Sequence, residues 1–226
     1  MLLSIVKKYL HVWLLLFFFL LTTFNFHNLN LNFFFKIKNV ELNSTKFLDE
    51  ITKSKAIDSM LNKNIFFVDK KELNKILYQN VWVKKVEFKK KFPNTIFISI
   101  TEYQPIAFYQ SNEKIYIVND SFQSEVSSNN LNIQSLIKLK NVKNLKDFKI
   151  FYYSIFNKYP FFSDIKEIHQ IYDQRWNIIM NDKKIVKLGN YNLEKQFKNL
   201  SMFLNNKNIH VIDLRLEDRL VVSYAK

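Results

Sequence analysis

The sequence predicts an α+β protein with three parts: a single apolar N-terminal helix, a β-α-α-β-β unit, and a mixed β-sheet domain with flanking helices. The first part follows from an apolar run of 18 residues, Tyr9–Phe26. The second follows from the order strand, helix, helix, strand, strand between Phe35 and Tyr103. The third follows from strand-like runs interrupted by two helical patterns after Gln104. The predicted division is a cytoplasmic tail at 1–8, a transmembrane signal anchor at 9–27, a linker at 28–34, the β-α-α-β-β unit at 35–103 and the β-sheet domain at 104–226.

The N-terminal apolar run is long enough to cross the hydrocarbon core of a bilayer at a helical rise of about 1.5 Å per residue. Lys7 and Lys8 precede it, and no Lys or Arg follows until Lys36. The positive-inside rule therefore predicts a cytoplasmic N-terminus and an exported remainder. A cleaved signal peptide fits less well, because no small-residue cleavage site follows the run. A buried core helix fits less well because the run is apolar on every face.

The β-α-α-β-β unit begins at Phe35–Asn43, where apolar and polar residues alternate with the period of a half-buried strand. Ser44 or Thr45 is the predicted cap of a first helix that runs towards Met60. Phe47, Ile51 and Ile57 are predicted to lie roughly on one face of this helix. A second helix is predicted after Asp69, its N-cap, with Leu73, Ile76 and Leu77 facing inward. Two alternating strands then meet at a turn, Phe92–Asn94, where Pro93 supplies a fixed φ.

The second half of the chain combines strand and helix periodicities. Asn192 is a plausible cap for the second helix, and Asn119-Asp120-Ser121 reads as a turn before Phe122. Polar composition predicts a loop over Ser124–Asn132. The predicted helices are Lys146–Tyr159 and Leu193–Leu204, and the predicted strands are Ile106–Tyr109, Lys114–Val118, Ile165–Ile171, Trp176–Met180, Ile185–Leu188, His210–Leu214 and Leu220–Ser223.

Composition and motifs argue against catalysis. The chain has no Cys, so disulfides, thiolate metal sites and Cys nucleophiles are excluded. One Gly leaves no Gly-rich phosphate loop, and turns must use Asn and Asp instead. The four His residues lack metal-ligand spacing, which predicts satisfied or exposed histidines. We expect that the protein is not an enzyme and needs no cofactor or metal.

The net charge of +14 falls mostly on the exported part, which carries +12 once Lys7 and Lys8 are set aside. An exported protein meets no nucleic acid, so two interpretations remain. One is a solvated, Lys-rich surface, and the other is a basic patch that attracts an acidic partner peptide. Lys84, Lys85 and Lys89–Lys91 form the densest cluster. Alternation puts some of them on the solvent face of the predicted sheet, which favours the solvated surface for this cluster.

Four short motifs occur in order in and just after the β-α-α-β-β unit: Asn64–Asp69, Trp82–Val86, Phe92–Ile96 and Glu102–Ala107. Behind one membrane anchor, this ordered set resembles the FtsQ family of bitopic division proteins, called DivIB in Gram-positive bacteria. The β-α-α-β-β unit resembles the POTRA domain that this family carries. The resemblance implies a POTRA domain at 35–103 and an FtsQ-type β-domain at 104–226.

The resemblance extends over almost the whole chain. Arg175–Asn177 and Lys187–Gly189 resemble family motifs, and Ile212–Val222 resembles the terminal motif of alphaproteobacterial members. One departure lies in the turn after Asn119, where Ser121 and Gln123 stand at the positions in which the family has glycine.

The resemblance implies a non-catalytic division scaffold in the inner membrane, single-pass and type II, at the division septum. It implies that the last strand, which can form a sheet edge, receives a segment of FtsB, itself paired with FtsL. It also implies contacts with FtsK, FtsW and FtsI through the POTRA domain and the membrane segment. The candidate partner-binding residues are Arg175, Arg215, Leu216, Leu220, Val222 and Tyr224.

Several alternatives stay open from the residues alone. Arg215 can instead bond within its own domain, and Leu220 and Val222 can instead belong to the core, because one face of the strand must pack inward. At the level of function, a POTRA-containing envelope protein-assembly or transport factor is the main alternative. A membrane-anchored envelope chaperone is a further one.

Overall fold

The structure, a computed structural model, describes residues 2–23, 35–43, 45–127, 132–172 and 175–224. The predicted linker at 28–34 and Ser44 lie outside these residues. The chain divides into two compact units by its contacts. The first comprises Met1–Thr45, Asp49–Leu77 and Val86–Ile100, and the second comprises Lys46–Leu48, Tyr78–Lys85 and Thr101–Lys226.

Helix α1 spans Leu2–Thr23, and its side chains from Tyr9 to Leu21 are exposed. In the parts of the chain that the structure describes, no helix has both the length and the apolar character that crossing a membrane requires.

The order β-α-α-β-β predicted for 35–103 is present. Its elements are β1 (Asn39–Leu42), α2 (Glu50–Asp58), α3 (Lys70–Leu77), β2 (Val83–Lys91) and β3 (Thr95–Glu102). The strands form a three-stranded sheet in the order β1-β3-β2, in which β1 runs parallel to β3. The turn between β2 and β3 falls at Phe92–Asn94, as predicted. The buried core of the first unit consists of Ile37, Ala56, Met60, Ile65, Val68, Leu73, Leu77, Ile96, Ile98 and Ile100.

The two helices of this part differ in how well their inward faces were predicted. Leu73 and Leu77 of α3 are buried, as predicted. Helix α2 begins later than predicted and is capped by Asp49, whose Oδ1 accepts the backbone N–H of Thr52 at 2.8 Å. Ile51, one of the three residues predicted to share a face of this helix, is 69% exposed. Ala56 is the buried residue of α2, so this helix presents a small side chain to the core.

Glu102 has a structural role that its motif does not reveal. Its carboxylate accepts the backbone N–H groups of Lys46, Phe47 and Leu48 at 2.8, 2.9 and 2.8 Å. Phe47 in turn lies against Trp82, with ring centroids 4.8 Å apart. The motif Glu102–Ala107 therefore contains a residue that satisfies three consecutive main-chain donors, which would otherwise need other partners.

The second unit is built on a nine-stranded mixed sheet in the order β12-β11-β10-β9-β8-β7-β4-β5-β6. Its strands are β4 (Pro105–Ser111), β5 (Lys114–Asn119), β6 (Ser124–Val126), β7 (Ile137–Lys140), β8 (Ile165–Ile171), β9 (Arg175–Met180), β10 (Ile185–Leu188), β11 (Ile209–Leu214) and β12 (Val221–Tyr224). Helix α4 (Leu145–Ile155) connects the parallel pair β7–β8, and α5 (Leu193–Phe203) connects the parallel pair β10–β11.

Both helices bury their apolar residues in one cluster on the same face of the sheet. Helix α4 contributes Phe148 and Phe151, and α5 contributes Phe197 and Leu200. The facing row of the sheet consists of cross-strand partners that are all buried: Leu139, Ile168, Ile178, Val186 and Ile212. The core therefore fixes which side chains of β8 to β12 point inward.

Most elements of the second unit were predicted within a few residues, with two corrections. Strands β8 to β10 and the cap Asn192, which accepts the N–H of Lys195, are as predicted. Helix α4 ends at Ile155 rather than Tyr159, because Phe156 is already extended with ψ 131°. The predicted loop over Ser124–Asn132 contains a strand, β6, whose polar sequence hid its pairing with β5.

The turn after β5 forms without the glycine of the family motif. Phe122 adopts a left-handed conformation, with φ 64°, and packs its ring into the core. The side-chain oxygen of Asn119 accepts the backbone N–H groups of Ser121 and Gln123 at 3.0 and 3.1 Å. The hydrogen bonds accepted by the fully buried Asn119 and the burial of the Phe122 ring offset the free-energy cost of the positive φ at Phe122.

Candidate partner-binding site

Strand β12 lies at one edge of the nine-stranded sheet, beside β11. The antiparallel register places Val222 opposite Ile212 and Val221 opposite Asp213. Among the described strands, none pairs with the outer side of β12. The last strand thus forms a sheet edge, as the sequence suggested, and its outward N–H and C=O groups can accept another strand.

The side chains of β12 divide between the core and solvent. Val222 is half-buried and packs against the core cluster, as does Leu220 just before the strand. Val221 and Tyr224 are 51% and 61% exposed. Of the two interpretations of Leu220 and Val222, packing against the core accounts for their burial. The exposed surface of this edge comes from Val221 and Tyr224, together with Leu216, which is 52% exposed in the β11–β12 connection.

Arg215, at the start of that connection, pairs with Asp213 of β11. Its Nε lies 2.9 and 3.0 Å from the two carboxylate oxygens, and its Nη2 lies 2.5 Å from Oδ2. Partial burial alone would raise the pKa of Asp213, but the hydrogen bonds and charge of Arg215 outweigh it and hold that pKa below its usual value. The guanidinium remains half exposed at the rim of the edge.

The β11–β12 connection is held from behind by the segment that follows β10. The hydroxyl of Tyr191 lies 2.7 Å from the carbonyl oxygen of Leu214 and 2.8 Å from that of Leu216. Gln196 of α5 is fully buried, accepts the N–H of Gly189 at 2.8 Å and donates to the carbonyl of Tyr191 at 2.7 Å. These three residues therefore link α5 and β10 to the connection that begins at Arg215.

Gly189, the only glycine in the chain, is required here by close packing. A Cβ at this position would lie 2.8 Å from two ring carbons of Tyr191 and 3.1 Å from the carbonyl oxygen of Arg215. Neither Tyr191 nor Gln196 was predicted as a site residue. The sequence did contain one indication of this site. Gly189 is the single glycine of a chain whose turns otherwise use Asn and Asp.

Arg175 is the first residue of β9 and lies two strands from β11. Its Nε donates to the carbonyl of Tyr172 at 3.2 Å. The register runs from Asn177 through Lys187 to Asp213, so Arg175 and Arg215 lie at the same end of the sheet. With strands about 4.8 Å apart, β9 and β11 are separated by roughly 10 Å. The other five predicted residues lie on or beside the β12 edge, and Arg175 lies apart from them.

The described part of the chain holds no group of three or more His, Asp or Glu side chains placed to bind a metal. His169 is satisfied, with Nε2 2.7 Å from Oε2 of Glu167, and His210 is exposed. What the site offers is an open strand, an apolar and aromatic rim and a paired arginine. This arrangement suits the binding of an extended polypeptide.

Comparison with known proteins agrees with this fold. A family model described as "POTRA domain, FtsQ-type" matches residues 35–103. The cell division protein FtsQ of Rickettsia conorii is 26% identical over 194 residues, which cover 83% of this chain and 72% of that protein. FtsQ of Bartonella bacilliformis is 26% identical over 205 residues, which cover 84% and 64%. DivIB of Clostridium tetani is 24% identical over 111 residues, which cover 48% and 41%.

Among solved structures, the major extracytoplasmic domain of the trans isomer of the cell division protein DivIB from Geobacillus stearothermophilus matches with a TM-score of 0.34 and 16% identity. The match covers 46% of this chain and 89% of that one.

The family model and the described fold define a protein with a POTRA domain followed by a β-sheet domain that ends in an open edge strand. The FtsQ-type POTRA match and the relatives that align over most of the chain support its placement with the FtsQ and DivIB cell division proteins.

Proposed function

We propose that this chain is a non-catalytic division scaffold, anchored in the inner membrane by one span, that binds FtsB and FtsL by strand addition at β12. The observation that carries the proposal is the open outer side of β12 in a chain similar to the FtsQ and DivIB proteins. The role in division is taken from the names of the similar proteins, which are cell division proteins. Strand addition is the binding mode that an unpaired edge strand supports.

An added strand would extend the sheet by one ladder of backbone hydrogen bonds. Val221 and Tyr224 would flank it with exposed side chains, and Leu216 would contact it beyond the start of β12. The inward packing of Val222 holds β12 in register, so the edge is formed before the partner arrives. Preorganisation of this kind lowers the entropic cost of binding.

Arg215 would bind an acidic residue of the partner at one end of the edge. Arg175 lies at the same end of the sheet but three strands from β12, so it would bind only a partner segment that continues beyond the added strand. The bonds from Arg215 to Asp213 come from Nε and Nη2, and a guanidinium has five N–H donors. A partner carboxylate can therefore bind Arg215 while the pair with Asp213 stays intact. Such contacts favour correct encounter more than they raise affinity.

Membrane anchoring rests on the sequence of the N-terminal region. Tyr9–Phe26 is almost wholly apolar, Lys7 and Lys8 precede it, and the next basic residue is Lys36. The proposal includes contacts with FtsK, FtsW and FtsI through the POTRA domain and this segment. A fluorescent fusion should concentrate at midcell, and an even distribution around the envelope would contradict the division role.

The binding site is tested by titration calorimetry of the full chain in detergent against the exported segments of FtsB and FtsL from the same organism. Val221→Lys places at the edge the residue that natural sheets use to prevent strand addition. Its matched control is Val126→Lys on β6, at the opposite edge of the same sheet. The two valines are 51% and 50% exposed.

We expect Val221→Lys to weaken binding about tenfold or more, or about 1.4 kcal/mol, and Val126→Lys to leave it unchanged. Circular dichroism establishes that both variants fold. Equal losses in the two variants would remove β12 as the site, and no binding by the parent chain would remove FtsB and FtsL as the partners.

A further inference from the structure

Three segments of the POTRA domain meet at the end where the chain enters it. The N–H of Ile65 donates to the carbonyl of Phe35, and the N–H of Ile37 donates to that of Lys63, at 2.9 Å each. The N–H of Lys38 donates to the carbonyl of Asn94 in the β2–β3 turn, also at 2.9 Å. The entry segment, the α2–α3 connection and the β2–β3 turn therefore form one surface, which we call the entry face.

The entry face carries phenylalanines that the core does not use. The Phe66 ring contacts those of Phe35 and Phe92, with centroids 5.0 and 5.1 Å apart. Phe66, Phe67 and Phe92 are 52%, 73% and 54% exposed. Phe66 and Phe92 are in contact and Phe67 follows Phe66 in the chain, so three exposed aromatic side chains occur on this face. Exposed apolar patches of this kind are typical of interaction surfaces.

Lysines surround the aromatic cluster. Nζ of Lys90 lies 3.2 Å from the carbonyl of Phe66, which places this charge beside the rings. Two acidic side chains, Asp69 and Glu72, line the same surface depression as Phe67, and they are paired with Lys71 and Lys63. Lys36 and Lys38 of the entry segment are also exposed, as are Lys89 and Lys91 at the end of β2 that leads into the β2–β3 turn. Exposed aromatic side chains with lysines around them match the membrane interface, where the rings contact acyl chains and the ammonium groups contact lipid headgroups.

We propose that the entry face rests on the membrane surface, with the phenylalanines inserted among the lipid headgroups and the lysines bound to anionic phospholipid. The proposal rests on the membrane anchor of the proposed function. Phe35 follows the apolar run's last residue, Phe26, by nine positions, which covalent geometry limits to about 30 Å of chain. Anionic lipid is the complementary charge within that reach, so it is the occupant we assign.

The test uses the absence of cysteine from the chain, which makes each introduced thiol a unique label site. The full chain, as Phe67→Cys or Ile51→Cys, carries an environment-sensitive fluorophore in vesicles of phosphatidylcholine and phosphatidylglycerol. Ile51 is the matched control, since it is apolar, 69% exposed and in the first turn of α2, outside the three segments that form the entry face. Quenching is measured with iodide in the water and with nitroxide on the lipid.

At Phe67→Cys we expect a blue-shifted emission, loss of iodide quenching and strong quenching by the lipid nitroxide. At Ile51→Cys we expect the label to remain open to iodide. Equal iodide quenching at the two sites, in a chain that floats with the vesicles, would overturn the membrane-resting entry face and leave the anchor standing. A chain that does not float would overturn both. Protection at position 67 that appears only when another protein is added would replace lipid with a protein partner.

Discussion

The side-chain oxygen of Gln196 accepts the backbone N–H of Gly189 across 2.8 Å, inside the protein. Gln196 also donates to the carbonyl of Tyr191, whose hydroxyl reaches the carbonyls of Leu214 and Leu216. One buried amide thus determines the path of the chain after β10, and that path supports the connection leading into β12. These hydrogen bonds connect α5 to the segment that leads into the edge strand.

Gln196→Leu should lower the free energy of unfolding by about 2 kcal/mol, because it leaves the buried N–H of Gly189 without its acceptor. Gln110→Leu, at an exposed position in β4, should stay within about 0.5 kcal/mol of the parent. Urea unfolding followed by tryptophan fluorescence measures both. Equal midpoints for the two variants would show that the amide network contributes nothing.

Gly189→Ala should destabilise the fold by about 2 kcal/mol, because the new Cβ would overlap the Tyr191 ring at 2.8 Å. The same change should cost less in a Tyr191→Ala background, in which the ring is absent. A double-mutant cycle on unfolding free energies gives the coupling. If the cost of Gly189→Ala is the same in both backgrounds, the close contact with Tyr191 is not the reason for glycine.

Glu113→Gly should stabilise the β4–β5 hairpin, whose two-residue turn has φ 47° at Asn112 and 63° at Glu113. Relief of the left-handed strain, about 1–2 kcal/mol, exceeds the extra entropy of glycine in the unfolded chain, about 0.4–1 kcal/mol. We expect a net gain of about 0.5–1 kcal/mol and a higher melting temperature in calorimetry. Glu125→Gly, in the extended strand β6, should move the melting temperature the other way.

Stability should fall in acid partly through Asp213, whose pKa is held below its ordinary value by Arg215. A lowered folded-state pKa adds stability above the ordinary carboxyl pKa of about 3.9, and this is lost as pH falls through the folded value. Asp213→Asn should therefore lower stability at neutral pH and flatten the loss below about pH 4. Asp218→Asn removes the same charge from a side chain that is 68% exposed and is the control in unfolding titrations across pH.

Local patterns predicted the elements that bury a strong apolar face. Phe197 and Leu200 follow a capping asparagine at helical spacing, and α5 begins and packs where they indicate. The apolar face of helix α2 was not predicted, because the residue that this helix buries is the small Ala56. The larger Ile51 is exposed to solvent. Strand β6 was predicted as a loop, because its three residues are polar or exposed. They take their extended conformation from pairing with β5.

The candidate site was predictable only where it is a linear feature of the chain. The edge position of β12 could be anticipated from its sequence, whereas the sheet order around it depends on parallel crossovers between distant segments. Tyr191 contacts the end of β11 and its connection across 23 and 25 residues of sequence, which no periodicity records. Gln196 in turn bonds Tyr191 and Gly189. The pairing of Arg215 with Asp213 was likewise left open by the sequence.

The opposite edge of the nine-stranded sheet, strand β6, is short. Strand β6 has three residues, its Ser124 hydroxyl lies 3.1 Å from that of Tyr109, and its pairing runs over three positions of β5. So short an edge is a poor template for a further strand. Strand addition at β12, as we propose it, would therefore extend this sheet at one end, with little to match it at the β6 end of the described residues.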